Sequence, residues 1–457
     1  MMLLFDFFVL LSKTWQFILC FSIIVVFHEL GHFIPAKLFK CRVDKFYLFF
    51  NPGYTLWKKQ IGETEYGIGW LPFGGYVKIS GMIDESLDSK SMAATPQPYE
   101  FRSKPAWQRF IIMVGGVIVN VIIAIIIFFG LNLYYGKEYL PLDNVQSISA
   151  TPNALFLGLQ QSDQILKIDN QSVKSLEAAE ELLRTPSKHI LSIKRSNNFK
   201  EINISENQIL KLPEPQSTIF FPSYPLIIDS VLPSAKIGHN SPPLMKGDTI
   251  IQLNKIPIQD DYAFSKILGT FKNQFVTLLV KRNQPQEIDL NKNDTVSVTI
   301  FADENGKLKI IKLGLLHFYK FTNEKLGIAA SFSTGIQDGN NILMTNIQGF
   351  GEIISGKRAA NESLGGVISI GNLFPKEIDW QRFWTLTAIL SIVIAFFNIL
   401  PIPALDGGHA FFLIIEMVSG KKIPDKIQEK IQIVGMILLL SLMVYALGLD
   451  FWRLFKN

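Results

Sequence analysis

Residues 110–136 read Phe110-Ile-Ile-Met-Val-Gly-Gly-Val-Ile-Val-Asn120-Val-Ile-Ile-Ala-Ile-Ile-Ile-Phe-Phe-Gly130-Leu-Asn-Leu-Tyr-Tyr-Gly136, 27 residues without one Asp, Glu, Lys or Arg. A helix needs about 20 mainly apolar residues to cross the hydrocarbon core, so this stretch is a membrane span. Two further uncharged runs, 383–405 and 431–449, hold 23 and 19 residues. A fourth apolar stretch, Phe7 to Phe27, is broken only by Lys13 and runs directly into His28 and Glu29. The sequence thus predicts a polytopic α-helical membrane protein with four transmembrane helices. Composition agrees, since 48% of the 457 residues are hydrophobic and only 18% are charged, against about 25% charged in an ordinary soluble chain.

The net charge of +5 is small for this length and is not clustered, which argues against nucleic acid as a partner. Cys20 and Cys41 would stand about 30 Å apart along a helix, so no disulfide framework joins them. Met1 to Phe8 contains Asp6 and no basic residue, which speaks against a cleaved signal peptide. Lys37, Lys40, Arg42, Lys45, Lys58, Lys59, Arg102, Lys104 and Arg109 lie between the first two spans. Lys421, Lys422, Lys426 and Lys430 lie between the last two. The positive-inside rule puts both basic segments in the cytoplasm, and both termini and the region 137–380 on the other side.

That region contains an internal repeat. At an offset of 85 residues Asp163 aligns with Asp248, Ile165 with Ile250, Ile168 with Leu253 and Asp169 with Asn254. At an offset of 87, Leu191-Ser-Ile-Lys-Arg195 aligns with Leu278-Leu-Val-Lys-Arg282. Each unit reads as strand, turn, strand, short helix (Leu176 to Arg184, then Tyr262 to Leu268) and two strands. The turn and strand Lys246-Gly-Asp-Thr-Ile-Ile-Gln-Leu-Asn254 resembles PDZ domains, which can capture an extended peptide at a sheet edge. The domain reading that follows is a membrane core over 1–136 and PDZ-like domains over 137–213 and 214–318. An amphipathic linker over 319–380 and a second membrane core over 381–457 complete it. Within the linker, Phe350 to Arg358 and Leu364 to Gly371 suggest a surface-lying element, although Gly365, Gly366 and Gly371 speak against a regular helix. Tyr54-Thr-Leu-Trp57 and Thr64 to Ile79 alternate in the β manner with Gly turns, which predicts a hairpin or small sheet on the cytoplasmic side.

The chemistry concentrates at the end of span one, in Phe27-His28-Glu29-Leu30-Gly31-His32-Phe33. Histidines four apart share one helix face and can hold Zn²⁺, with the adjacent carboxylate free to accept a proton from water. With 6 histidines and 39 acidic residues in the chain, roughly 0.007 such matches arise by chance. Ionisable groups inside a span are costly, which points to function. Catalytic zinc takes three protein ligands, so one more comes from elsewhere. Span three ends in Asn398-Ile-Leu-Pro401-Ile-Pro-Ala-Leu405-Asp406-Gly-Gly-His409, which offers Asp406, with His409 as its rival.

His-Glu-Leu-Gly-His and Asn-Ile-Leu-Pro-Ile-Pro-Ala-Leu-Asp-Gly-Gly resemble the two signatures of the site-two intramembrane metalloproteases. Chain size, four spans and tandem PDZ-like modules resemble the bacterial regulator-of-sigma-E protease branch. The resemblance implies one Zn²⁺ per chain on His28, His32 and Asp406, Glu29 as the base, and Asn398 holding an extended substrate backbone. It also implies a membrane-associated β element, with Gly74, Gly75 and Tyr76 contacting substrate, and periplasmic modules acting as a size filter. It places the chain in the bacterial inner membrane. The expected partners are single-span membrane proteins, anti-sigma-factor-like regulators or remnant signal peptides, membrane lipid, and peptide ligands of the PDZ-like modules. Two departures stand out: Gly116 and Gly366 occupy positions where the family motifs usually carry Pro. The competing reading is a non-catalytic PDZ-containing receptor with a structural metal, which would normally close its site with four protein ligands.

Overall fold

Backbone that crosses lipid has no water to bond and closes its own hydrogen bonds as helix. The computed structural model describes residues 2–82, 95–214, 217–282, 295–356 and 365–456. Four helices contain stretches long and apolar enough to span: Met2–Leu38 (span one), Ala106–Tyr135 (span two), Trp380–Ile399 (span three) and Asp425–Lys456 (span four). The chain is a polytopic membrane protein that also carries β elements. It divides into a membrane unit, Met1–Gly136 with Lys325–Asn457, and a second unit, Lys137–Glu324.

Two spans differ from their uncharged runs in a way that bears on the site. Span one continues past Phe27 to Leu38, so the His-Glu-x-x-His segment is helical throughout. Span three stops at Ile399 and not at residue 405, because Pro401 forces extended backbone on Leu400 and neither Pro401 nor Pro403 can donate a helical hydrogen bond. A separate helix, Asp406–Ser419, then fills what the sequence suggested was part of a connection.

Spans one and two touch through backbone. A Cβ on Gly31 would lie 2.4 Å from the Gly115 carbonyl oxygen, and one on Gly115 would lie 1.9 Å from that of Gly31, so only glycine permits this crossing. A second unexpected element, the 27-residue helix Ile328–Ile354, packs on span two, where a Gly335 Cβ would meet Phe129 N at 2.9 Å. Asn132 of span two also donates to Asp338 of this helix at 2.9 Å. The surface element expected over 350–358 and 364–371 falls partly on residues 357–364, outside the described residues. Its described remainder includes a single helical turn, Val367–Gly371, in spite of its glycines. The turn is capped by the buried Asp450 of span four, which accepts from the N–H groups of Gly366, Ile368 and Ser369.

The loop between spans one and two forms one long hairpin, β1 (Val43–Ile61) and β2 (Thr64–Ile79). It folds over itself: Lys45, Phe46, Tyr47 and Leu48 are registered with Lys78, Val77, Tyr76 and Gly75 on one side and with Glu65, Tyr66, Gly67 and Ile68 on the other. Residues 57–61 continue the sheet beyond 64–68. The segment 75–79 is therefore an edge of this two-stranded sheet, with β1 beside it as its strand neighbour.

The second unit begins with β3 (Lys137–Tyr139). One sheet has the order β4 (Gln164–Ile168), β5 (His189–Arg195), β6 (Asn198–Ile204), with helix Leu176–Leu183 nearby. The later elements are β7 (Ile228–Val231), β8 (Thr249–Leu253), β9 (Ile256–Pro257), β10 (Gln274–Lys281), β11 (Thr295–Ala302), β12 (Ile310–Lys312) and β13 (Thr322–Glu324), with helix Asp261–Leu268. They build a sheet ordered β11, β10, β8, β9 and two small pairs, β12 with β7 and β13 with β3. One set of polar contacts occurs twice. Arg195 grips the fully buried Asp163 through both oxygens at 2.7 Å, and Arg282 grips the fully buried Asp248 at 2.7 and 2.8 Å. Asp169 accepts from Ile190 N–H as Asn254 does from Thr277 N–H. Ser175 and Asp260 cap the two helices. Each sheet has its own apolar core, around Ile165, Leu191 and Ile193 in the first and Ile250, Leu278 and Val298 in the second.

Candidate metal centre

The helical spacing of span one puts His28 and His32 on one face, with ring centroids 4.9 Å apart and planes near perpendicular. Asp406 reaches them as the first residue of the Asp406–Ser419 helix. The preceding turn holds Ala404 at φ +78°, a conformation that L residues adopt only when their surroundings impose it. At the far end of the same helix Glu416 accepts from the buried Arg109 of span two at 2.5 Å, which ties the carrier of Asp406 to the bundle.

His28 Nε2, His32 Nε2 and Asp406 Oδ2 form a triangle with sides of 3.3, 3.2 and 3.4 Å. Among the described residues this is the cluster of His, Cys, Asp or Glu with metal-ligand spacing. Three ligands about 2.0–2.1 Å from a tetrahedral zinc would stand about 3.4 Å apart, so the triangle has the size of one face of a zinc tetrahedron. The Asp406 oxygen at its corner is closed off from solvent without a hydrogen-bond partner among the described residues, which suits a metal ligand. The donor set fits zinc.

The far sides of both rings are engaged. His32 Nδ1 lies 2.8 Å from the Ile112 carbonyl oxygen, which can only accept, so Nδ1 carries the proton and Nε2 is left bare. His28 Nδ1 lies 3.2 Å from the Asn120 amide, whose Oδ1 is buried and has no partner among the described residues. Turned so that this oxygen faces the ring, Asn120 accepts from His28 Nδ1–H and fixes the same tautomer. Asn398 Nδ2 stands 3.3 Å from His28 Nε2, at the rim of the triangle. Span two approaches closely here: a Cβ on Gly116 would sit 2.5 Å from His32 Nε2 and 2.6 Å from His28 Cε1.

His28, Glu29, His32, Gly74, Gly75, Tyr76, Asn398 and Asp406 all border one cavity of about 910 Å³. Glu29 is buried and packs against Gly75, where an added Cβ would come within 3.3 Å of its Cγ. Its carboxylate lies near the Val77 backbone N–H. Tyr76 is held by stacking on Tyr47, centroids 5.2 Å apart, and by donating to Asn51 at 3.1 Å. His409 also borders the cavity but is outside the triangle. Sequence reasoning assigned no role to Asn120 and passed over Gln432 of span four, which also borders the cavity. The available signal was a neutral amide inside an otherwise apolar run, which lipid makes costly.

The family model described as peptidase family M50 matches residues 16–442. The chain is similar to the "Regulator of sigma E protease" of Haemophilus influenzae, 30% identical over 477 residues that cover 97% of this chain and all of the relative. It is 27% identical to the "Protease RseP" of Yersinia pestis, again over 97% of this chain and all of the relative. It is likewise 27% identical to a Clostridium perfringens protein whose name proposes a zinc metalloprotease, over 93% of this chain and 95% of that one.

Proposed function

We propose, from the premise that this chain belongs to peptidase family M50, that it cuts the transmembrane segments of single-span membrane proteins. That it is a zinc metalloprotease embedded in a membrane follows from the family and the four spans. The observation that carries the finer reading is the place of the triangle. The triangle, Glu29 and the edge segment of the hairpin border one cavity within the membrane unit.

In this reading His28, His32 and Asp406 hold the zinc. Zinc, when bound, acts as a Lewis acid that brings water's pKa toward neutrality and polarises a peptide carbonyl. The Ile112 carbonyl and the Asn120 amide keep both imidazoles in the tautomer with a free Nε2. Glu29 accepts the proton of the attacking water and delivers it to the departing amine nitrogen. Its burial against Gly75 keeps the carboxylate at the edge of the sheet.

A transmembrane helix hides its carbonyls in hydrogen bonds, so it must unwind before cleavage, and each backbone group freed in lipid costs several kcal/mol unless paired. Segment 75–79 offers such pairing on the side that β1 leaves open, so the substrate adds as a strand beside Glu29. Asn398 then contacts the extended backbone near the metal. By the charge rule the basic loops face the cytoplasm of a bacterial inner membrane, and the PDZ-like unit lies on the outer side. There it screens substrates by the bulk of their outer domains, so that deleting residues 144–316 would relax a demand for prior trimming.

The test is to express the chain and its Glu29→Gln counterpart in parallel and compare the membrane proteins that accumulate. Single-span proteins, or signal-peptide remnants, should persist uncut only with the variant. Identical profiles would refute this substrate class while leaving the family assignment standing.

A further inference from the structure

Span four turns one narrow face inward. Val434, Ile437 and Leu438 are exposed, whereas Gln432 and Gly435 are buried and Gln432, Met436 and Leu439 border the metal cavity. The contact that sets this face is close, since a Cβ on Gly435 would fall 2.1 Å from the carbonyl oxygen of Pro403, in the turn that leads to Asp406. One turn before that contact, Gln432 is only 5% exposed, and its Oε1 is sealed from solvent with no hydrogen-bond partner among the described residues. A desolvated, unpaired amide oxygen is a standing cost that Met or Leu at this position would avoid. Such a group calls for an explanation in another state of the protein.

A strand added along segment 75–79 satisfies its backbone on one side only, because alternate N–H and C=O groups of an extended chain point the opposite way. Those outward groups remain at membrane depth and need partners. Gln432 offers one acceptor and two donors from an element outside the sheet. We propose that Gln432 is a substrate-binding residue that hydrogen-bonds the outward-facing backbone of the extended substrate, its Oε1 accepting from a peptide N–H. This rests on the strand-addition reading above. The pairing is made to backbone, so it recognises an unwound segment irrespective of its side chains. An intact helix, whose N–H groups are already used, gains nothing from it.

The test uses the full-length zinc-loaded protein in bicelles with a synthetic single-span peptide, comparing wild type with Gln432→Met, which keeps size and removes hydrogen bonding. Gln432→Met should hold the same zinc, melt no lower than wild type, and lose on the order of ten- to a hundred-fold in kcat/KM, the range for a buried group deprived of its partner. A series of peptides with single backbone esters, each replacing one N–H by oxygen, locates the bond. One position should weaken cleavage by wild type yet cost nothing further in the variant. Unchanged kcat/KM, or the same ester penalties in both proteins at every position, would overturn the assignment. So would a Gln432→Met protein that unfolds or loses zinc, since the amide would then be structural. If wild type cuts no single-span peptide at all, the substrate reading falls and this proposal with it. Normal cutting by both proteins sinks only the role of Gln432.

Discussion

Gly116→Ala should weaken zinc binding without touching a ligand, although the family motif usually carries Pro here, because in this chain span two lies against both imidazoles. The new methyl carbon would begin 2.5 Å from His32 Nε2 and 2.6 Å from His28 Cε1, whereas unstrained contact needs about 3.5 Å. Something must move by about 1 Å, several times the roughly 0.2 Å tolerance of metal–ligand distances. The rings cannot swing aside freely, because His32 Nδ1 is anchored 2.8 Å from the Ile112 carbonyl and His28 Nδ1 is 3.2 Å from the Asn120 amide. Retreat of span two as a body would pull its Gly115 backbone off that of Gly31 and lose their close packing. Loss of ligand orientation lowers metal affinity by about 10- to 100-fold, or about 1.4 to 2.7 kcal/mol, and a direct clash should reach at least that. The assay is zinc per chain after equilibration against graded chelator, with Gly130→Ala as control, because nothing lies within 4 Å of a Cβ there. The control should bind zinc as wild type does. If Gly116→Ala binds zinc with unaltered affinity, the close approach of span two to the histidines is wrong.

The other expectations concern ligands, their supports and the second unit. Asp406→Ala should deplete zinc as far as His28→Ala does, and His409→Ala should keep stoichiometry near one; zinc retained in Asp406→Ala would exclude that residue from the ligand set. Asn120→Leu should weaken zinc binding by about 10- to 100-fold in the same chelator titration, as expected when a ligating imidazole loses its orienting partner. Arg195→Ala leaves Asp163 charged and fully buried, so thermal unfolding of the second unit should show a loss of about 3 kcal/mol with zinc content unchanged. A midpoint within one degree of wild type would show that the pair carries no net stability.

Sequence made some of this architecture legible and hid the rest for physical reasons. Uncharged runs identify spans because a charge in lipid is expensive, so all four appear, and His28 with His32 is visible because helix periodicity alone brings them together. The 27-residue helix Ile328–Ile354 is hard to foresee because it contains Gly335, Gly339, Gly349 and Gly351, each unfavourable in an isolated helix. Packing reverses that preference: Gly335 lets the helix lie on the backbone of span two at Phe129. The helix beginning Asp406-Gly-Gly-His409 reads as a turn by composition. It is held by contacts far away in sequence, Arg109 with Glu416 among them. The roles of Asn120 and Gln432 depend on which groups face them across the bundle, and no local pattern encodes that.

The central claim is that a three-ligand zinc site is served by Glu29 as a separate proton carrier. Its most direct test measures zinc and turnover together on purified wild type and Glu29→Gln, with a defined single-span substrate. A positioned base contributes about 10²- to 10⁴-fold, and here it also generates the nucleophile. Zinc should stand near one per chain in both proteins, and cleavage by the variant should fall below about a thousandth of wild type. Turnover above that level, or zinc lost from Glu29→Gln, would contradict it.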